Sequence, residues 1–163
     1  MYRRFAKAFH LLSVLLFVFF FLYIYAALPE NVAYQVDQRG FPLESISRDS
    51  FFYIGIVVFL LLNFLLIIPA KLIDKQASFN LKKLFPKHEP FTDHMLGWLY
   101  SFGAILNITV AIIALYVHSI NNQNEITSAD FNPFFYMVPI FFIIWIIALF
   151  VILGKKLKQV RSY

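Results

Sequence analysis

The sequence predicts an all-α membrane protein: one domain of four transmembrane helices, with a short hairpin-like outer loop between helices 1 and 2. Three observations predict it. First, 61% of the 163 residues are hydrophobic and 14% are charged, against about 25% charged in an ordinary soluble domain. The 21 phenylalanines carry more apolar surface than a soluble core of this size can hide, whereas lipid accommodates it. Second, the apolar residues fall into four segments, about 8–28, 51–70, 95–117 and 133–154, each close to the ~20 residues that cross the hydrocarbon. Third, the basic residues are sorted by side. Arg3, Arg4 and Lys7 precede the first segment, Lys71, Lys75, Lys82, Lys83 and Lys87 lie between the second and third, and Lys155, Lys156, Lys158 and Arg161 follow the fourth. The opposite side holds only Arg39 and Arg48. By the positive-inside rule this is a multi-pass protein of a bacterial-type cytoplasmic (inner) membrane, with both termini cytoplasmic. The outer loops are then 29–50 and 118–132, and the cytoplasmic loop is 71–94. The excess of positive charge is a topology signal first and an attraction to anionic headgroups second. It is not read as a nucleic-acid footprint.

Each element has local support. The first segment follows three basic residues as a secretory signal would. It is longer than the ~7–15 residues of a signal core, and a cut after Ala27 would put bulky Tyr25 where a small residue is needed. Ser47 and Asp49 can cap the second helix and suit its dipole. In loop 71–94, Leu72, Ile73, Phe79, Leu81, Leu84 and Phe85 are interleaved with lysines. That pattern reads as a short amphipathic segment at the membrane surface, the alternative being a docking site for a cytoplasmic partner. Asn132-Pro133 reads as an N-cap and first-turn proline for the fourth helix, Pro139 as a bend, and Gly154 followed by lysines as its end.

No Asp, Glu, Lys or Arg lies inside the four segments. Intramembrane charges mark ion pathways, proton relays and voltage sensors, so their absence argues against a pump, an ion-coupled transporter or a hydrolase acting in the membrane. The chain also has no cysteine, which removes disulfides, thiolate metal sites and a cysteine nucleophile. There is no G-x-S-x-G, phosphate loop, HExxH or paired-carboxylate motif. The chain is therefore expected not to be an enzyme.

The polar residues that remain read as helix-packing groups. Gly103, Asn107, Ala111, Ala114 and His118 recur every three or four residues on the third helix and so share one face. Gly55 and Asn63 share a face of the second. Small residues let backbones approach, and amides bond across the contact. A ligand or lipid slot lined by the two asparagines is the alternative. Of the four histidines, His10 and His94 both fall near the cytoplasmic ends of spans and are the weak candidates for a metal or haem iron. With only Asp93 as an acidic neighbour, no cofactor is expected.

The stretch LPENVAYQVDQRGFP, residues 28–42, breaks the hydrocarbon pattern. Val32, Tyr34 and Val36 alternate with Ala33, Gln35 and Asp37, a strand signal. Asp37-Gln38-Arg39-Gly40 supplies turn residues, and Phe41, Pro42 and Leu43 return the chain. Ordering such a loop costs about 1–2 kcal/mol per residue, so Val32, Tyr34, Val36 and Phe41 are expected to bury themselves against the bundle or a partner. The other outer loop offers Ile126, Phe131, Phe134, Phe135 and Tyr136 as a surface. The two outer loops are thus expected to pack together as a partner-binding surface built on Tyr34, Asp37, Arg39, Gly40, Phe41, Glu44 and Phe131, with Asp37, Arg39 and Glu44 facing out.

The same stretch resembles the N-terminal membrane domain of SdpI-type immunity and signalling proteins, whose motif runs L-P-x-x-V-P-x-H-F-N-x-x-G-x-P-D after a first span. Leu28, Pro29, Val32, Gly40 and Pro42 match it. Gln35 stands where that family has histidine, Asp37 where it has asparagine, and Leu43 where it has aspartate. The resemblance covers residues 10–70 and implies a span, an ordered outer loop and a second span. The function expected from the residues is a non-enzymatic accessory or scaffolding subunit that binds membrane lipids and other integral membrane or envelope proteins. The resemblance implies an immunity or signal-relay protein, and a haem- or quinone-handling redox subunit is a further alternative.

Overall fold

In the computed structural model, residues 2–37, 41–122 and 132–161 are described. The elements are α1 (Tyr2–Ala27), β1 (Asn31–Val36), β2 (Pro42–Ser47), α2 (Arg48–Lys75), α3 (Phe79–Leu84), α4 (Pro90–Asn121) and α5 (Asn132–Arg161). Four of the helices are long and apolar enough to cross a membrane, which makes this a multi-pass membrane protein. They also run past the apolar segments. The α5 helix continues through Gly154 to Arg161, so the expected end at that glycine is corrected: lysines and leucine are good helix formers, and nothing after Gly154 breaks the pattern.

The helix ends follow from their sequences. Ser47 caps α2, accepting from Ser50 N at 3.1 Å. At its far end Gln76 is left-handed (φ 50°), with Gln76 N bonded to Ile73 O and Ala77 N to Leu72 O, a Schellman-type closure. Pro90 opens α4 in its first turn, where a missing N–H costs nothing.

Helix α4 is the centre of the bundle and touches α1, α2, α5 and β1. Its buried positions include Leu96, Leu99, Tyr100, Gly103, Ala104, Asn107, Ala111 and Ala114, so the small-residue face read from the sequence does line the interior. The packing is layered. Toward the hairpin, Phe17, Phe21, Ile24, Phe59, Ala111 and Ala114 form one apolar cluster, in which the Phe17 and Phe59 rings stack at 4.2 Å. Toward the basic end, Ala6, Ala70, Ile73, Met95, Leu96 and Tyr100 form a second. The outer faces of α2 and α5 carry exposed leucine, isoleucine and phenylalanine, as lipid-facing surfaces do.

The two strands form an antiparallel hairpin that pairs Asn31 with Ser47, Val32 with Ile46, Ala33 with Ser45, Gln35 with Glu44 and Val36 with Pro42. The register skips Tyr34 and Leu43. This irregularity corrects the simple alternation: Val32 and Ala33 are both buried, while Tyr34 is 42% and Phe41 65% exposed. A bulge turns a residue out of its period-2 face.

Candidate functional site

Three places carry polar chemistry, and the helices position each. Between the two apolar clusters, α1 contributes His10 and Ser13, α2 Asn63 and α4 Asn107. Asn63 Nδ2 donates to Asn107 Oδ1 at 2.7 Å and to its own helix at Phe59 O, 2.8 Å. Its Oδ1 is therefore the acceptor for His10 Nε2 at 2.8 Å, which puts the ring proton on that nitrogen. Asn107 Nδ2 donates to Ser13 Oγ at 3.0 Å, and Ser13 Oγ to His10 O at 2.7 Å. Gly103 makes room for the histidine: a Cβ there would lie 3.2 Å from His10 Cδ2. The chain of bonds ties three helices together with each amide occupied, which is what hydrocarbon requires of polar groups. Ala111 and Gly55 lie on the hairpin side, Gly55 against Phe21.

His94 does not join this cluster; its ring lies 6.3 Å from Tyr2. Among the described residues no group of three or more metal-ligating side chains converges. A second interhelical clasp binds α4 to α5. Trp98 Nε1 donates to Trp145 O at 2.7 Å and Trp145 Nε1 to Ser101 Oγ at 3.0 Å.

The second place is the hairpin. Asn121, in the last turn of α4, clamps it: Asn121 Nδ2 donates to Ala33 O at 2.7 Å, and Ala33 N donates to Asn121 Oδ1 at 2.9 Å. Arg48 N donates to Glu30 O at 2.9 Å across the hairpin base. Near the tip, Asp37 N donates to Phe41 O at 2.9 Å and Phe41 N to Asp37 Oδ1 at 2.8 Å. Tyr34 donates its hydroxyl to Glu44; that bond, with a smaller contribution from burial, holds the phenol above its usual pKa. Tyr34, Phe41, Leu43 and Glu44 are thus displayed on a fastened scaffold. Arg39, Gly40 and Phe131, and the packing of loop 118–132 beyond Asn122, lie outside the described residues.

The third place is the basic end, where Asp74 accepts from Lys7 at 2.6 Å and pairs with Arg3 at 3.4 Å, and Asp93 pairs with Arg3 at 3.5 Å. Lys156 pairs with Glu89. Arg3, Arg4, Asp74, Lys87, His88 and Asp93 line a cavity of about 520 Å³ there.

Ser13, Asn121 and the Trp98–Trp145 pair were not marked by sequence reasoning. Ser13 sits three residues from His10, and Asn121 sits where the apolar run of α4 ends. Those are the signals that could have found them. No protein-family model, no curated protein and no solved structure matches this chain.

Proposed function

We propose that this chain is a non-enzymatic subunit of a bacterial-type cytoplasmic membrane, with cytoplasmic termini, which binds a larger integral membrane or envelope protein through its hairpin on the outer face. The observation that carries this reading is a fastened hairpin that turns apolar side chains outward, Phe41 at 65% and Leu43 at 59% exposure. A two-stranded hairpin is marginal alone. Here Asn121 holds it by both backbone groups of Ala33 and Asp37 bonds Phe41 across the hairpin, so Phe41 is presented on a fastened backbone, and preorganised aromatic anchors are what binding energy concentrates on. The hydrogen-bonded pairs inside the bundle support a structural role for the interior and leave recognition to the ends.

A second reading, the immunity or signal-relay role of SdpI-type proteins, is favoured by one observation. Of the five matched residues, Leu28, Pro29, Val32 and Pro42 fall in the hairpin and its root, with Leu28 and Val32 buried, and Gly40 lies outside the described residues.

Two experiments test the main reading. Since the chain has no native cysteine, a single cysteine at Asn122 should label from outside intact cells and one at Asn80 should not; the reverse pattern would refute the orientation. Purification in mild detergent should bring down a stoichiometric membrane or envelope protein with wild type. F41S/L43S should lose it at unchanged melting temperature, because both side chains are exposed. An identical set of companions for both proteins would contradict the reading.

A further inference from the structure

The basic end holds more positive charge than its own carboxylates use. Four cationic side chains, Arg3, Arg4, Lys7 and Lys87, surround two carboxylates, Asp74 and Asp93. Both carboxylates are engaged by Arg3, and Asp74 by Lys7 as well. Among the described residues, Arg4 and Lys87 have no ion pair and no side-chain hydrogen bond, yet both line the ~520 Å³ cavity. The cavity is amphipathic, since Ile73 and the fully buried Leu96 also line it.

The backbone around it is unusual too. The described non-glycine residues with positive φ are Gln76 (50°) and His88 (64°), and both line this cavity. Gln76 has a local reason, as the cap of α2. His88 takes its positive φ in the Lys87–His88 turn that leads into α4, a conformation histidine adopts more readily than most residues, and Lys87 of that turn lines the cavity.

We infer that this cavity binds a phosphate group, held by Arg4 and Lys87 over the Arg3–Asp74–Asp93 base. The Arg4 guanidinium and the Lys87 ammonium suit phosphate oxygens. The floor of Ile73 and Leu96, at the rim of the membrane spans, suits a phosphate that comes with a lipid, as in the basic interhelical pockets that take anionic headgroups. The inference concerns the opposite end of the molecule from the hairpin and does not depend on the proposed partner.

The test uses the full chain in detergent with phosphatidylglycerol or phosphatidylcholine added, counting retained lipid by native mass spectrometry. Wild type should retain one phosphatidylglycerol in preference to phosphatidylcholine. R4A/K87A should retain roughly ten-fold less, the loss of at least one charge-assisted hydrogen bond. K71A/K158A, which removes two exposed cations outside the cavity, should leave retention unchanged. In a second arm, millimolar inorganic phosphate without lipid is added and melting is followed. If wild type is stabilised, R4A/K87A is not, and no lipid preference is seen, the site stands with free phosphate as its source. Equal loss in both double variants, or no response in either arm, would overturn the inference.

Discussion

Gly55→Ala is expected to be the most damaging single-methyl change in the bundle, lowering stability by about 2–3 kcal/mol, within the range for overpacked cores. The added Cβ would lie 2.2 Å from Phe21 Cζ and 2.6 Å from Phe21 Cε2. The ring has nowhere to go: Phe21 is 2% exposed and stacks on Phe17 at 5.0 Å and on Phe51 and Phe52 at 5.7 Å. Relief requires α2 to move away from α1, which opens the Phe17–Phe59 stack as well. Gly97→Ala gives the opposite sign. Its Cβ meets nothing within 4 Å, and alanine is the better helix former by about 1 kcal/mol. Melting in mild detergent reads both, and equal melting of Gly55→Ala and wild type would mean that the α1–α2 contact is not formed.

Gly103→Leu is expected to have the second large effect, again about 3 kcal/mol. A methyl alone would be tight there, 3.2 Å from His10 Cδ2 and 3.4 Å from Ile67 Cδ1. The rest of a leucine side chain has to displace the His10 ring. That breaks the bond from His10 Nε2 to Asn63 Oδ1 and holds α1 off α4. Asn107→Ala removes bonds that average well under about 1 kcal/mol in membranes, so it should be milder although Asn107 is 1% exposed. The expected order of melting temperatures is wild type, then Asn107→Ala, then Gly103→Leu. Reversal of the last two would show that the amide network, and not the close helix approach, holds the centre together. Ile113→Leu, on an exposed position of α4, should be neutral.

These two sites show what a sequence of this kind reveals. The spans and the packing face of α4 were legible because hydrocarbon forces long apolar runs, and a helix repeats its face every three or four residues. Gly55, Asn63, Gly103 and Asn107 stood out because they are small or polar where neither is needed for solubility. Ser13 did not, since its meaning comes from Asn107, 94 residues away. Asn121 was hidden for the same reason: its partner Ala33 is 88 residues distant. The hairpin itself was readable from alternation and turn residues. The outward turn of Tyr34 was not, because a skipped register is a property of two strands and cannot be read from one.

The central claim, that the hairpin tip meets a protein partner, is tested most directly by photo-crosslinking in intact membranes. A photoreactive residue replaces Phe41 in one variant and Leu65, 70% exposed on α2, in another. The account predicts a discrete protein adduct of one defined mass from position 41 and only lipid adducts from position 65. Lipid adducts alone from position 41 would show that the hairpin rests in the headgroup layer, and would contradict it.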